Sequence, residues 1–295
     1  LEFRRVLFRS LPSTMARLEP LTLLSALAVQ TRYIGLAATA STTFSDPFNL
    51  ARSFSSLDHI SHGRAAWNVV TSFSTDVARN FSRDDMPTHA ERYAVAHEFL
   101  EATFKLWEGW QEGAVQPDKA SGQYFVNEKI QPVNHQGKYF QVQGPLNITR
   151  SPQGRPVIIE AGSSADGQKL AAATAEVVFT AAATLEEAQT FYRAQKQQVI
   201  EAGRNPDHVL ILPGVMPIVG RTLEEAHETW RELNSLVDID NGIRQLSTRF
   251  NMDLSAFPLD GPVPDVPAGE GNQSRVKLLT DLAYRENLTL RELAA

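Results

Sequence analysis

None of the 295 residues is a cysteine. Disulfides, thiolate catalysis and Cys-ligated metals are therefore excluded at once. No G-x-G-x-x-G follows a predicted strand, and neither a Walker loop nor a G-x-S-x-G elbow is present. No apolar run is long enough to cross a bilayer. An excess of positive charge is also missing: 28 Lys and Arg face 34 Asp and Glu, for a formal charge of -6. That balance argues against a nucleic-acid or anionic-membrane surface. With 42% hydrophobic and 21% charged residues the composition is that of an ordinary globular chain, and a cytoplasmic enzyme is expected.

The first ten residues, LEFRRVLFRS, carry charge without an apolar core of signal-peptide length. They resemble the in-frame translation of a sequencing-adapter oligonucleotide. Residues 1–10 are expected to be an artefactual leader on a fragment, with a natural basic leader as the alternative.

From Leu18 the pattern is regular. Leu18 to Gln30 has the apolar spacing of a buried helix with Pro20 in its first turn. Tyr33 to Ala40 reads as a short strand with Ser41, Thr42 and Thr43 as its polar exit, and Pro47 to Ile60 as a helix ending near Gly63. Ala65 to Thr71 is small, aromatic and β-branched, which predicts a strand covered on both faces. One amide, Asn68, interrupts it, and a buried amide without partners costs about 1–3 kcal/mol. Asn68 is therefore expected to face a ligand at the carboxyl end of the sheet, where α/β folds bind them.

Thr88 to Trp110 predicts a long amphipathic helix. Residues 113–150 break the rhythm, with Lys138 to Val142 alternating like a hairpin strand. The alternation then resumes with strands over 156–161, 176–181 and 209–219 and helices over 165–175, 185–202 and 222–237. A second irregular stretch, 251–273, holds five prolines or glycines between Pro258 and Pro267, so no long element is expected there. Helices over 273–285 and from Thr289 close the chain. Five strands alternating with helices predict a parallel sheet. A parallel barrel takes eight strands and about 250 residues before insertions. The pattern thus fits a partial TIM (β/α)8 barrel, with insertions at 113–150 and 251–273, lacking its first and last strands. An open doubly wound sheet is the competing fold. With uncovered edges, residues 11–295 alone are expected to fold poorly and to be inactive.

Three places could carry chemistry. Ala161-Gly162-Ser163-Ser164 joins a strand to a helix, where a tight turn, two hydroxyls and free N–H groups suit a phosphate; a plain helix cap is the alternative. His89 and Tyr93 are four apart on one helix face and could bind a phosphate or a flavin edge, or simply form an amphipathic surface. Asp58, His59 and His62 invite a metal, but the spacing is too short for a helical His pair and no third ligand is evident, so structural histidines are expected. His135 is expected at the surface.

The runs GRAAWNVVTS, HAERY, GPLNITRSPQGRPVIIEAGSS and AAATAEVVFTAAATLEEAQTFY together resemble the bacterial-luciferase-like flavin monooxygenases. Within these they are similar to the nitrilotriacetate, dibenzothiophene-sulfone and pristinamycin-pathway group. The resemblance runs from about Leu18 to the end. It implies a luciferase-like (β/α)8 barrel and a two-component mechanism. A separate NAD(P)H:flavin reductase would supply reduced FMN, and O2 would be the co-substrate. A C4a-peroxyflavin would then oxygenate a small organic molecule such as an aminopolycarboxylate or organosulfur compound. It also implies a cytoplasmic homo-oligomer without metal. By the same resemblance Thr39, Asn68, His89, Tyr93, Ser163 and Ser164 would bind the cofactor, with His89 and Asn68 the catalytic candidates. The family's further flavin-contacting aspartate has no counterpart from Leu18 onward. A deazaflavin-dependent hydride-transfer enzyme and a non-catalytic flavin-binding protein are the alternative functions.

Overall fold

The computed structural model describes residues 18–72, 75–162, 164–182, 184–266 and 273–295. The adapter-like leader and Ser163 lie outside them. The chain forms two compact units, one of residues 18–180 and 186–212 and one of residues 181–185 and 213–295.

The first unit opens with α1 (Pro20–Gln30), β1 (Leu36–Ser41), α2 (Pro47–Ser61) and β2 (Ala65–Val70). After α3 (Thr75–Arg79) and the long α4 (His89–Glu108) comes the hairpin of β3 (His135–Gln136) and β4 (Gln141–Val142). The alternation resumes with β5 (Val157–Glu160), α5 (Ala165–Thr174), β6 (Val177–Thr180), α6 (Leu185–Glu201) and β7 (Leu210–Pro213). Strands β1, β2, β5, β6 and β7 form one five-stranded sheet in that order, with β1 through β6 pairing in parallel. This is the alternating parallel sheet of an α/β fold expected from the sequence.

Local chemistry explains the boundaries. Asp46 caps α2 by accepting the N–H groups of Phe48 and Asn49, and Pro47 occupies the first turn, where its missing N–H costs nothing. At the other end His62 and Gly63 both take positive φ (58° and 83°), which turns the chain directly into β2. Strand β7 ends at Pro213, short of the expected 219. Proline donates nothing to a ladder, and Val215, Met216 and Val219 lie exposed beyond it.

The core lies on one face of the sheet. Ala38, Trp67, Val69 and Ile158 point into it, beneath residues of α2 and α4 such as Phe54, Phe99 and Trp107. Trp67 is fully buried, with its ring 5.7 Å from Phe54, 5.9 Å from Phe99 and 6.4 Å from Trp107, and its indole N–H donates to the Ala40 carbonyl at 3.0 Å. The other face carries Ala37 and Thr39, which are exposed, and Asn68, Val157, Ile159 and Val177, which are half-buried. The expectation that β2 is covered on both faces is thus corrected. Its residues alternate from Trp67 onward, and Asn68 sits on the less covered side.

The excursion 113–150 also differs from its sequence pattern. Residues 138–140 form no strand, because their N–H groups all donate to the Glu98 carboxylate of α4, at 2.7–3.1 Å. Only Gln141 and Val142 pair, with Gln136 and His135. A Cβ at Gly137 would collide with the Glu98 carboxylate. His135, expected at the surface, is buried: its Nε2 lies 3.5 Å from Glu98 and its Nδ1 3.4 Å from Lys105 Nζ.

In the second unit, α7 (Leu223–Ser235), α8 (Ile239–Phe250), α9 (Gln273–Glu286) and α10 (Leu290–Ala294) follow one another. Its core gathers Ile243, Leu246, Phe250, Leu254, Val263 and Leu290. Helix α8 has no counterpart in the sequence-based assignment. Among the described residues no helix is long and apolar enough to cross a membrane.

Candidate functional site

The half-covered face leads to the carboxyl ends of β1, β2 and β5. Thr39, Asn68, Ile159 and Val177 share one register row across four strands. The Asn68 amide donates to the Thr39 hydroxyl at 2.9 Å, which orients both side chains on this face. One step beyond, the two strand exits are joined. Ser72 donates to Ser41 at 2.8 Å, Thr43 Oγ1 donates to the Thr71 carbonyl at 2.5 Å, and the Thr42 N–H donates to the Val70 carbonyl at 3.0 Å. Ser72 takes a positive φ of 53°, so the polar exit is held in a strained turn.

Strand β5, beside Asn68, runs on through Ala161 and Gly162 to the amino end of α5. Ser164 caps that helix by accepting the Gly167 N–H at 3.2 Å. The N–H groups of Ala165 and Asp166, in the first turn, have no intrahelical acceptor, and they add to the positive end of the helix dipole. Tyr93 of α4 stands against this turn, with 3.4 Å between its hydroxyl and that of Ser164. His89, one helical turn earlier, packs on Tyr93 with ring centroids 4.8 Å apart, and its Nδ1 lies 3.1 Å from the Asp166 carboxylate.

The structure therefore brings His89, Tyr93 and Ser164 into one cluster and Thr39 with Asn68 into another, both at the carboxyl ends of the parallel strands. Ser163 lies outside the described residues. Three members of the cluster were not singled out in the sequence. Asp166 and Gly167 fall in the first turn of α5. His97 continues the His89–Tyr93 stripe by one more turn and could have been found from that spacing. Burial holds its imidazole below the usual pKa, and the Lys169 cation adds to this against the opposing Asp166 charge. Directly before the turn sits Glu160, buried on the α5 side of β5. Burial pushes its carboxyl up to about 8, although the Thr174 hydroxyl at 2.5 Å and the Arg204 charge act in the other direction.

The Asp58, His59 and His62 group is structural in its contacts. Buried Asp58 accepts from the N–H of Ala65 at 3.2 Å and from Gln153 at 3.0 and 2.6 Å. His59 Nε2 lies 3.1 Å from the Thr149 carbonyl, and His62 ends α2. Among the described residues no three His, Asp or Glu side chains are grouped so as to hold a metal.

Comparison with known proteins bears on this geometry. The family model described as luciferase-like monooxygenase matches residues 8–274. N-acetyl-S-(2-succino)cysteine monooxygenase of Bacillus subtilis (strain 168) is 50% identical over 288 residues, covering 97% of this chain and 65% of that protein. Nitrilotriacetate monooxygenase component A of Aminobacter aminovorans is 49% identical over 278 residues, covering 94% of this chain and 61% of that protein. Among solved structures, riboflavin lyase (RcaE) with modified FMN and substrate riboflavin superposes with a TM-score of 0.84 at 31% identity, over 95% of this chain and 61% of that one. The chain thus spans a little under two thirds of the length of these relatives.

Proposed function

This chain belongs to the luciferase-like monooxygenase family, and from that premise we propose that it binds reduced FMN and oxygenates a small organic molecule with O2. The observation that carries the proposal is the grouping of His89, Tyr93 and Ser164 against the first turn of α5. Two hydroxyls, an imidazole and free helical N–H groups converge there, a donor set suited to a phosphate monoester. The register row of Thr39, Asn68, Ile159 and Val177 supplies what a planar heterocycle needs, apolar contact with one oriented amide. The residues present therefore fit FMN.

Reduced flavin, when bound, supplies the electrons that activate O2. The chain's own residues would do the rest. Tyr93, Ser164 and, outside the described residues, Ser163 would hold the phosphate end. The Asn68 amide, steadied by Thr39, would orient the ring edge. His89 would donate or accept a proton at its Nε2. The joined exits of β1 and β2 would limit the access of water, which otherwise diverts such chemistry. A separate NAD(P)H:flavin reductase would deliver the reduced cofactor, in the cytoplasm, to a homo-oligomer of this protein. Aminopolycarboxylates and organosulfur compounds are the substrate classes, in line with the names of the two relatives.

The test supplies FMNH2 from a purified flavin reductase and follows O2 uptake over a panel of aminopolycarboxylates and S-substituted cysteines. Substrate-dependent uptake that yields oxygenated product is expected. Flavin binding without turnover on any panel member would instead indicate a flavin-storage role, and no flavin binding would end the proposal.

A further inference from the structure

We infer that Arg83 is a specificity-determining residue: its guanidinium, held over the Phe44 ring at the carboxyl ends of β1 and β2, binds a carboxylate of the substrate. The inference rests on the monooxygenase reading above and deepens it by naming a charged group that the substrate carries.

Two loops build the place. One leaves β1, the strand of Thr39, and reaches Phe44; the other leaves β2, the strand of Asn68, and reaches Phe81 and Arg83. In parallel α/β barrels such loops set the choice of substrate. The two are tied at their roots, where Thr43 Oγ1 donates to the Thr71 carbonyl. They meet again further out, where the Phe44 and Phe81 rings stack with centroids 4.6 Å apart and planes 12° from parallel. The second loop is itself anchored. The N–H groups of Phe81 and Arg83 donate to the carbonyl of fully buried Ala78, at 2.8 and 3.2 Å, and Ser82 between them takes a φ of 58°.

The guanidinium carbon of Arg83 lies 5.8 Å from the Phe44 ring centroid. This contact restrains the cation without supplying a carboxylate or carbonyl acceptor. Among the described residues no hydrogen bond or ion pair engages the Arg83 side chain, although Asp84 and Asp85 follow it directly in the chain. A fork of unused N–H donors, held in place in advance, suits a carboxylate bidentately. The half-exposed Phe81 ring beside it offers apolar contact to the rest of such a molecule.

The competing role for a cation at this end of the sheet is to neutralise the flavin phosphate. The two roles separate cleanly. A phosphate contact would make Arg83 matter to FMN and not to riboflavin. A substrate contact leaves FMN affinity alone and is felt only by ligands that carry a carboxylate.

The test uses the whole chain, with and without oxidised FMN, and two small dicarboxylate probes, iminodiacetate and succinate. Their dimethyl esters serve as the counterparts without carboxylates. Calorimetric titration measures affinity, and the Arg83 Nε–H signal in NMR, assigned through Arg83→Lys, reports contact at the guanidinium. At least one dicarboxylate is expected to shift that signal and to bind Arg83→Gln about tenfold more weakly than the parent, the scale of losing hydrogen bonds to a charged group. Arg83→Lys, which keeps the charge and loses the fork, should fall between them. The esters should not distinguish parent from variant, and FMN should bind both equally. In the O2-uptake assay Arg83→Gln should raise KM for a carboxylate substrate about tenfold with kcat nearly unchanged. Arg83 is exposed, so the variants should melt with the parent. The inference is overturned if neither dicarboxylate binds the parent, or if Arg83→Gln binds them as tightly. It is overturned equally if Arg83→Gln loses affinity for FMN but not for riboflavin, which would put the cation on the phosphate. Should no protein bind FMN while a dicarboxylate still shifts the Arg83 signal, the flavin reading fails and the carboxylate site stands.

Discussion

Gly162 and Gly167 face each other so closely that a Cβ built on either would lie 2.8 Å from the Cα of the other. The Tyr93 hydroxyl fills the remaining side, 3.4 Å from a Cβ on Gly162 and 2.9 Å from one on Gly167. The strand-to-helix turn is closed on itself by two missing side chains. That closure sets Ser164 against Tyr93.

Replacing Gly167 by alanine tests the closure. On helix propensity alone the change would stabilise α5 by about 1 kcal/mol. Here the added methyl meets backbone that cannot yield, and overpacking of this kind costs about 1–3 kcal/mol. Thermal melting should show net destabilisation, and FMN titration a weaker complex. A more stable Gly167→Ala protein with unchanged FMN affinity would show that the turn opens freely.

Glu160 gives the protein a pH signature. Its folded pKa lies near 8, above the ordinary 4.5, mainly because of burial. Between these values the unfolded chain has released the proton that the folded chain keeps. Stability therefore falls as pH rises through this window and levels off above it. Glu160→Gln should remove this slope and leave the variant more stable at pH 8, by an amount on the order of a few kcal/mol. Urea unfolding of both proteins from pH 5 to 9 measures it, and parallel curves would contradict the burial argument.

Glu98 should behave in the opposite sense. Burial alone would raise its pKa, but the N–H groups of Phe140, Tyr139 and Lys138 together with His135 outweigh that and hold it below the ordinary carboxylate value. Its contribution is complete above pH 4.5 and is lost as pH falls through the lowered folded pKa. Glu98→Gln can accept with only one oxygen, and it should cost about 2 kcal/mol at pH 7, the scale of a charged hydrogen bond. Amide exchange at residues 138–140 should accelerate in the variant. Unchanged exchange there would mean that the excursion holds its shape without Glu98.

Asn68→Ala separates site from scaffold. Asn68 is half-buried and its amide donates to the Thr39 hydroxyl, so the loss of stability should be about 1 kcal/mol. Turnover with supplied FMNH2 should fall by about tenfold or more if the amide orients the ring. A full-activity variant would remove Asn68 from the site.

Much of this architecture could be read from residues alone, because local rules and tertiary structure agree. Asp46-Pro47 and His62-Gly63 bracket α2 as capping chemistry requires, and the five strands were recognisable by their apolar runs. Helix α8 carries equally clear signals, an Asp238 cap, apolar residues at Ile239, Ile243, Leu246 and Phe250, and a left-handed Asn251. They were obscured by the neighbouring proline-rich stretch. The composition of β2 predicts a buried Asn68 because it reports what a strand can tolerate, whereas the covering of its second face is decided elsewhere in the fold. His135 and residues 138–140 depart from their local pattern for a related reason. Their environment is dictated by Glu98, some forty positions away, which no local window contains. Asp166 looked like an ordinary first-turn acid, and only the packing of α5 against α4 shows His89 beside it.

The buried Asp58 carboxylate reaches Gln153 across 95 positions of chain. Beyond β2 itself, most of that span is α3, α4 and the excursion 113–150. Closing a loop costs entropy that grows only logarithmically, about 0.6 kcal/mol for each doubling of length. Chain added between α4 and β5 thus adds little to the cost of joining β5 to β2, provided Asp58 and Gln153 still meet. The clasp separates the order of the strands from the length of what lies between them. Insertions can vary in size at that point while Asn68 and Ile159 keep their register.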